Sequence, residues 1–189
     1  MELARRVGAG EVYGVEFVDH LGRAAAARGV EVASHDLNEP LPYESDRFDV
    51  VHSNQVIEHV RNTDGFLRET RRVLKPSGYA LLSTNNLASW HNVFSLALGM
   101  QPTPCHVSDA VMVGNRFDPR RGESHPEKGS AHLRIFSFSG LAELAEWHGF
   151  RVETQVTAGY YPFPPAMADF LCRLDPRHGA FLIARLRRA

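Results

Sequence analysis

Cysteine is scarce in this 189-residue sequence: Cys105 and Cys172 are the only two, far apart and without metal or redox spacing. That excludes a disulfide scaffold and thiolate metal clusters, and it makes a reducing cytoplasm the expected setting. Long apolar runs are missing as well, since none approaches the roughly 18 residues of a membrane span. The opening "MELARRVGAG" carries charges where a signal peptide would place its apolar segment. Charge of one sign is also absent. With 21 Lys and Arg against 22 Asp and Glu the net charge is −1, and the only basic cluster is the tail "RLRRA". A nucleic-acid partner is therefore not expected. There is no internal repeat and no low-complexity segment. What remains, 43% hydrophobic and 23% charged, has the composition of one soluble domain able to bury a core.

Strand and helix signals alternate along the first half of the chain. "MELARRVG" reads as the end of a helix stopped by Gly8 and Gly10. "EVYGVEF" reads as a strand, "DHLGRAAAARG" as a helix ending at Gly29, and "VEVASHD" as the next strand. "NEPLPYESD" is a loop and "RFDVVHSN" a short apolar strand of the buried parallel kind. In "NTDGFLRETRRVLKPSG", Asn62 or Thr63 caps a helix whose face carries Phe66, Leu67, Val73 and Leu74, and Pro76 to Gly78 stop it. "YALLST" is a further strand. The alternation predicts an α/β fold with a doubly wound, mostly parallel sheet.

From Asn85 to Ala131 the rhythm breaks. "SWHNVFSLALG" is expected to be a helix with Trp90, Phe94 and Leu98 turned inward, followed by a long irregular stretch rich in Pro, Gly and His. Such a loop in a compact domain is usually functional. The helix "SFSGLAELAEWHGF" follows, and "RVETQVTAGYY" and "GAFLIARLRR" are expected to pair antiparallel at a sheet edge.

Polar residues end the strands where open parallel sheets collect ligands. Glu16 closes the strand "VYGV"; a carboxylate there accepts from both hydroxyls of a ribose diol. Asp36 closes the next strand, and Asn54 the one after. Each is also readable as a simple strand terminator. In order, "VYGVE", "DLNEPLPYESDRFDVV", "VIEHV" and "FLRETRRVLKPSGYALLSTNN" resemble the class I S-adenosylmethionine-dependent methyltransferases acting on small molecules, lipids or sugars. "HLRIFSFSGLAELAEWHGFRV" resembles the C-terminal part of that family. The resemblance implies a Rossmann-like sandwich with S-adenosyl-L-methionine as cofactor. It implies that Glu16 holds the ribose, Asp36 and the Leu37 backbone hold the adenine, and Asn54 and Gln55 lie beside the methionine portion or methyl. Lys75 to Gly78 match a structural turn, with Ser77 where the family usually has a second glycine.

One family feature has no counterpart. A glycine-rich loop after a first strand should precede the acidic residue by roughly 20 positions, and counting back from Glu16 reaches Met1. Gly8, Gly10 and Gly14 lead into a strand instead of following one. The expectation is one methyltransferase-like domain over residues 1–189 without its first strand, with residues 87–131 an irregular insert that shapes an acceptor site as a lid. Met1 is then an internal methionine or the start of a naturally shortened gene. The expected cost is reduced stability, closure of the gap, or pairing with another copy as a homodimer through exposed strand edges.

Two histidines are candidate bases for an acceptor hydroxyl, His59 and His132; each is equally readable as tying down a loop or helix end. His91, His106 and His125 sit in the irregular region, but no close-spaced His or Cys ligand set appears, and no metal is expected. Arg120 and Arg121 are a lead toward an anionic acceptor. Tyr160, Tyr161, Pro162 and Phe163 suit a pocket rim or an interface. A rival reading is a catalytically inactive scaffold working by self-association or partner binding. A nicotinamide-dependent enzyme is disfavoured by the lack of a Tyr-x-x-x-Lys pair.

Overall fold

Residues 2–125 and 131–189 are described by a computed structural model, residues 2 and 3 by their backbone alone. The last part of the expected insert, 126–130, lies outside the described residues. The chain opens with α1 (Glu2–Arg6), and Gly8 in the left-handed region at φ +67° turns it away. β1 (Tyr13–Val15), α2 (Asp19–Ala26) and β2 (Glu31–Ala33) form one strand-helix-strand unit with the strands parallel, Tyr13 opposite Glu31 and Val15 opposite Ala33. The remainder is built on β3 (Phe48–Asn54), α3 (Thr63–Val73), β4 (Leu74–Asn85), α4 (Trp90–Ala97), α5 (Phe138–Trp147), β5 (Phe150–Ala158), α6 (Pro165–Leu174) and β6 (Phe181–Arg188).

The sheet order is β3-β4-β6-β5, with β3 and β4 parallel and β6 antiparallel to both its neighbours. β6 therefore lies inside the sheet and β5 at its edge, so the expected antiparallel pair is present but does not sit wholly at the margin. Alternation along β6 explains its place: Leu182, Ala184 and Leu186 are fully buried while Ile183 and Arg185 point away. They meet Leu74, Ala80 and Leu82 of β4, Leu67 of α3 and Leu141 of α5 in one core. Each buried leucine contributes about 2 kcal/mol.

The helix caps follow the sequence. Asn62 Oδ1 accepts from Gly65 N at 2.9 Å to start α3, and Ser137 Oγ accepts from Gly140 N at 3.2 Å to start α5. Two readings need correction. Pro76 to Gly78 do not stop α3, which ends at Val73 before β4 runs through them. Trp90, Phe94 and Leu98 do not turn inward; they are about half exposed or more, and α4 buries Asn92 and Ser95 instead. The reason is hydrogen bonding: Asn92 Nδ2 donates to the Asn86 carbonyl at 2.9 Å, and Asn115 Nδ2 to Ser95 Oγ at 3.1 Å. α6 occupies the stretch between the last two expected strands.

The break in the sheet is where the sequence places it. β1 and β2 form a sheet of their own, and among the described residues neither the outer edge of β1 nor that of β3 has a strand partner. A cavity of about 360 Å³ lies between them, lined by Val7, Val12 and Tyr13 on one side and Val50, Val51 and His52 on the other. The gap has not closed. It is bridged at one end by aromatic contact: Tyr13, Tyr43 and Phe48 pack with ring centroids 5.0–6.0 Å apart, with Arg47 4.6 Å above Tyr13. Tyr43 Oη donates to the Gly14 carbonyl at 3.1 Å. Arg72 of α3 holds the same loop, donating to the carbonyls of Leu41 and Tyr43, and Glu69 accepts from Leu41 N at 2.7 Å. No described helix is long and apolar enough to cross a membrane.

Gly78 shows how tightly β4 approaches β3. A Cβ there would lie 3.0 Å from the carbonyl oxygens of both Phe48 and Asp49. Gly78→Ala is expected to cost about 1–3 kcal/mol by overpacking against backbone. Urea melts of the two chains check this; coincident midpoints would contradict it.

Candidate functional site

Every expected cofactor residue sits at or just beyond the carboxyl end of a strand. Glu16 follows β1 and is half-buried, and its Oε1 accepts from Val18 N at 2.8 Å. Asp36 lies three residues beyond β2, and its Oδ1 accepts from Asn38 N at 2.9 Å and from Asn38 Nδ2 at 2.7 Å. Those two donors hold its carboxyl below the usual range, with a further pull from Arg61. In both carboxylates these bonds occupy one oxygen. Leu37 is partly buried against the core and lines the slot between β1 and β3; it is the only one of the five expected cofactor residues that does. This cavity is thus the strand-shaped gap, and Glu16, Asp36 and Asn54 at the strand ends are not among its lining residues.

Asn54 ends β3 and accepts from Ser83 Oγ through its Oδ1. Gln55 turns the chain at φ +54°, a conformation uncommon for a residue with a Cβ. Its backbone N–H donates to the Ser83 carbonyl at 2.9 Å. With its amide oxygen toward Thr84 N, 3.2 Å away, its nitrogen lies 3.1 Å from Glu58 Oε1. Ile57 to His59 then form a single 3-10 turn.

That turn buries Glu58 completely. Its Oε2 accepts from Thr84 Oγ1 at 2.8 Å, while burial pushes its carboxyl up. His59, the next residue, reaches His132 from the far side of the insert, with ring centroids 4.8 Å apart. The two candidate bases, 73 positions apart in sequence, are therefore neighbours. His106 stacks on His132 at 4.5 Å and His125 lies 4.5 Å from His106, so four histidines form a continuous row. Burial, with His132, His125 and His59 around it, drives His106 down to about 4. Burial lowers His132 as well, against the Pro104 carbonyl, which accepts from its Nδ1 at 2.9 Å. Glu58 and the row are what the sequence concealed. The one available signal was an acidic residue inside the apolar string "VIEHV".

Arg120 is paired with Glu123 at 3.3 Å on the surface. His91 stands apart from the row, edge-on to Tyr161 at 5.3 Å. The start of the insert is anchored elsewhere. Asp175 Oδ2 accepts from Trp90 Nε1 at 2.7 Å and from Tyr160 Oη at 2.9 Å, and Oδ1 accepts from His178 Nδ1 at 2.7 Å. Trp90 stacks on His178 at 4.6 Å. Burial works to raise the Asp175 carboxyl, but its three donors overcome it and hold it at about 2. Burial and Asp175 push Tyr160 to about 12.

Comparison with known proteins agrees with this fold. A family described as a methyltransferase domain matches residues 1–82. A "probable S-adenosylmethionine-dependent methyltransferase" of Mycolicibacterium smegmatis is 28% identical over 197 aligned residues, which cover 96% of this chain. The chain spans 62% of the length of that relative. Among solved structures, a Thermotoga maritima protein described as a possible histamine N-methyltransferase superposes with a TM-score of 0.65 at 19% identity. That match covers 98% of this chain and 76% of the other. A Burkholderia thailandensis 1,6-didemethyltoxoflavin-N1-methyltransferase, solved with its substrate and S-adenosylhomocysteine, superposes with a TM-score of 0.58 at 16% identity, over 100% of this chain and 66% of the other. The methyltransferase resemblance and the Rossmann-like fold read from the sequence are borne out.

The Asp175 hub makes a prediction with a definite sign. Its folded value of about 2 lies below the ordinary 3.8, so its stabilisation is complete above pH 3.8 and is lost as pH falls toward 2. Asp175→Asn is expected to lower stability at pH 7 by about 1.5–3 kcal/mol, with the gap from the parent narrowing by pH 3. Urea melts at both pH values measure it; an equal gap at pH 7 and pH 3 would contradict it.

Proposed function

We propose that this chain, which carries a methyltransferase fold and a family match over residues 1–82, binds S-adenosylmethionine across the ends of β1, β2 and β3 and directs its methyl to an O, N or C atom of a small molecule, lipid or sugar. The observation that carries this reading is the pair Glu16 and Asp36. Two adjacent parallel strands each lead into a carboxylate, and in both one oxygen is fixed by an amide two residues on. Acceptors held in advance by the backbone are suited to hydroxyl and amino donors of a nucleoside.

When bound, the cofactor supplies an electrophilic methyl on a sulfonium. The chain's own residues then supply alignment, exclusion of water and a base. Glu16 orients the ribose, Asp36 with the Leu37 backbone meets the adenine, and Asn54 and Gln55 face the methionine end. His59 and His132 are suited to accept a proton from an acceptor hydroxyl. A carbonyl oxygen only accepts, so the Ala131 carbonyl on His59 Nδ1 (3.3 Å) and the Pro104 carbonyl on His132 Nδ1 leave Nε2 of each ring as the basic atom. Residues 87–131 act as the acceptor lid, and Arg120 and Arg121 would favour an anionic acceptor. The setting is the cytoplasm.

A second reading draws on the slot between β1 and β3. Two unpaired strand edges facing an apolar gap suit strand addition, so the chain could serve as a non-catalytic scaffold that pairs with itself or with a partner. Mass measured against concentration separates the two readings when set beside cofactor binding.

Calorimetric titration with S-adenosylhomocysteine should give micromolar binding, and Glu16→Ala should weaken it at least tenfold, as expected when hydrogen bonds to a charged acceptor are lost. Circular dichroism of the variant checks α2, because Glu16 also holds the Val18 amide at its start. A folded parent that releases no heat at millimolar ligand would contradict the proposal.

A further inference from the structure

His59 and His132 carry a second reading that excludes their role as bases while a cation is bound, because a coordinated Nε2 accepts no proton. One ligand atom from each of Glu58, His59 and His132 lies within 4.8 Å of the others. Nδ1 of both rings donates to a backbone carbonyl, so in the neutral ring Nε2 is the nitrogen that bears the lone pair. Glu58 adds a carboxyl group with no exposure at all; Thr84 Oγ1 donates to its Oε2 at 2.8 Å, and the side-chain amides of Gln55, at 3.1 Å, and Asn85, at 3.5 Å, face its Oε1. Two imidazole nitrogens and a buried carboxyl thus converge, a donor set that a cation accepts.

We propose that Glu58, His59 and His132 form a binding site for a divalent transition cation of the zinc type. Two imidazoles and a carboxylate are a ligand set zinc accepts, leaving a further position for water or an oxygen donor. Ligand atoms about 2.0–2.1 Å from zinc stand roughly 3.4 Å apart, so side-chain rotations of about an ångström complete the site. The surroundings match what such ligands require. Each ring donates its other nitrogen to a carbonyl, which fixes tautomer and orientation. His106 serves in support and is not a ligand: its Nδ1 accepts from His132 N at 3.1 Å, so its hydrogen is on Nε2, and its ring stacks on His132. His125 Nε2 lies 3.1 Å from the Ser108 carbonyl and donates to it, outside the set. The site does not depend on the methyl donor, because all three ligands belong to this chain.

The test uses the full chain, untagged and stripped of metal, titrated with Co²⁺ while visible d–d absorption is followed, then with Zn²⁺ in competition. One Co²⁺ per chain is expected, displaced by Zn²⁺, and Zn²⁺ should raise the melting temperature. His59→Asn and His132→Asn keep a side-chain N–H near the position of Nδ1 but remove Nε2, and each is expected to weaken binding at least tenfold with an unchanged circular dichroism spectrum. Glu58→Gln should do the same, and His125→Ala should bind as the parent does. Absence of Co²⁺ absorption at millimolar metal would overturn the proposal. So would parental binding by both asparagine variants, or an equal loss in His125→Ala, which would mark adventitious capture by loop histidines. Titration of the metal-free chain with S-adenosylhomocysteine is a separate arm, so failure of the cation site and failure of the methyltransferase reading are told apart.

Discussion

Backbone amides and carbonyls must find partners, and in this fold the outer edges of β1 and β3 face each other across an apolar slot without a strand between them. The rest of the structure accommodates that break. Burial is concentrated on the far side: no residue before Ser53 is fully buried among the described residues, and the core is formed by α3, α5, β4 and β6. The strand-helix-strand unit at the front is held instead by a strap, the loop carrying Leu41, Tyr43 and Arg47. Arg72 and Glu69 grip that strap from α3, and the aromatic trio of Tyr13, Tyr43 and Phe48 joins it to β1 and β3. The chain is thus two parallel pieces tied at one end, with their ligand-facing strand ends in separate sheets.

This arrangement gives the proposed cofactor site its character. Glu16 and Asp36 belong to the loosely packed piece, Asn54 and Gln55 to the well-packed one. A ligand touching all four would bridge the pieces and add hold where the missing pairing removes it. Glu58 and His59 are placed differently: Glu58 is fully buried and its Oε2 accepts from Thr84 Oγ1, so the chain's own contacts hold it. His132 lies just beyond the insert and is tied to it by the Pro104 carbonyl, which accepts from its Nδ1, and by His106 Nδ1, which accepts from its backbone N–H.

Much of the fold was legible because periodicity and punctuation agree. Asn62 caps α3, Gly29 follows α2 in the left-handed region, and the apolar runs around Val50 and Leu82 became parallel neighbours. The failures are equally physical. Trp90, Phe94 and Leu98 read as an inward face, yet the inner face of α4 is polar because Asn92 and Ser95 complete hydrogen bonds to Asn86 and Asn115. Hydrophobic spacing carries no information about such a network. Pro76 looked like a helix stop and instead lies within β4, where Gly78 permits close contact with β3. In the candidate site the strand-end residues were visible from their order alone. The convergence of His59, His106, His125 and His132 was hidden, because no regular spacing links these positions and only the path of the chain through the insert brings them together.

The central claim is that the two pieces share one cofactor crevice despite the break between them. Hydrogen exchange with and without S-adenosylhomocysteine tests it most directly, read at the amides of Val18 and Asn38 on the front unit and of Gln55 on the main sheet. These amides hydrogen-bond to Glu16, Asp36 and Ser83 in turn. The account predicts slower exchange on both sides of the slot together, with the larger change on the front unit, whose local stability is lower. Protection confined to one side, or none in a folded chain, would contradict it.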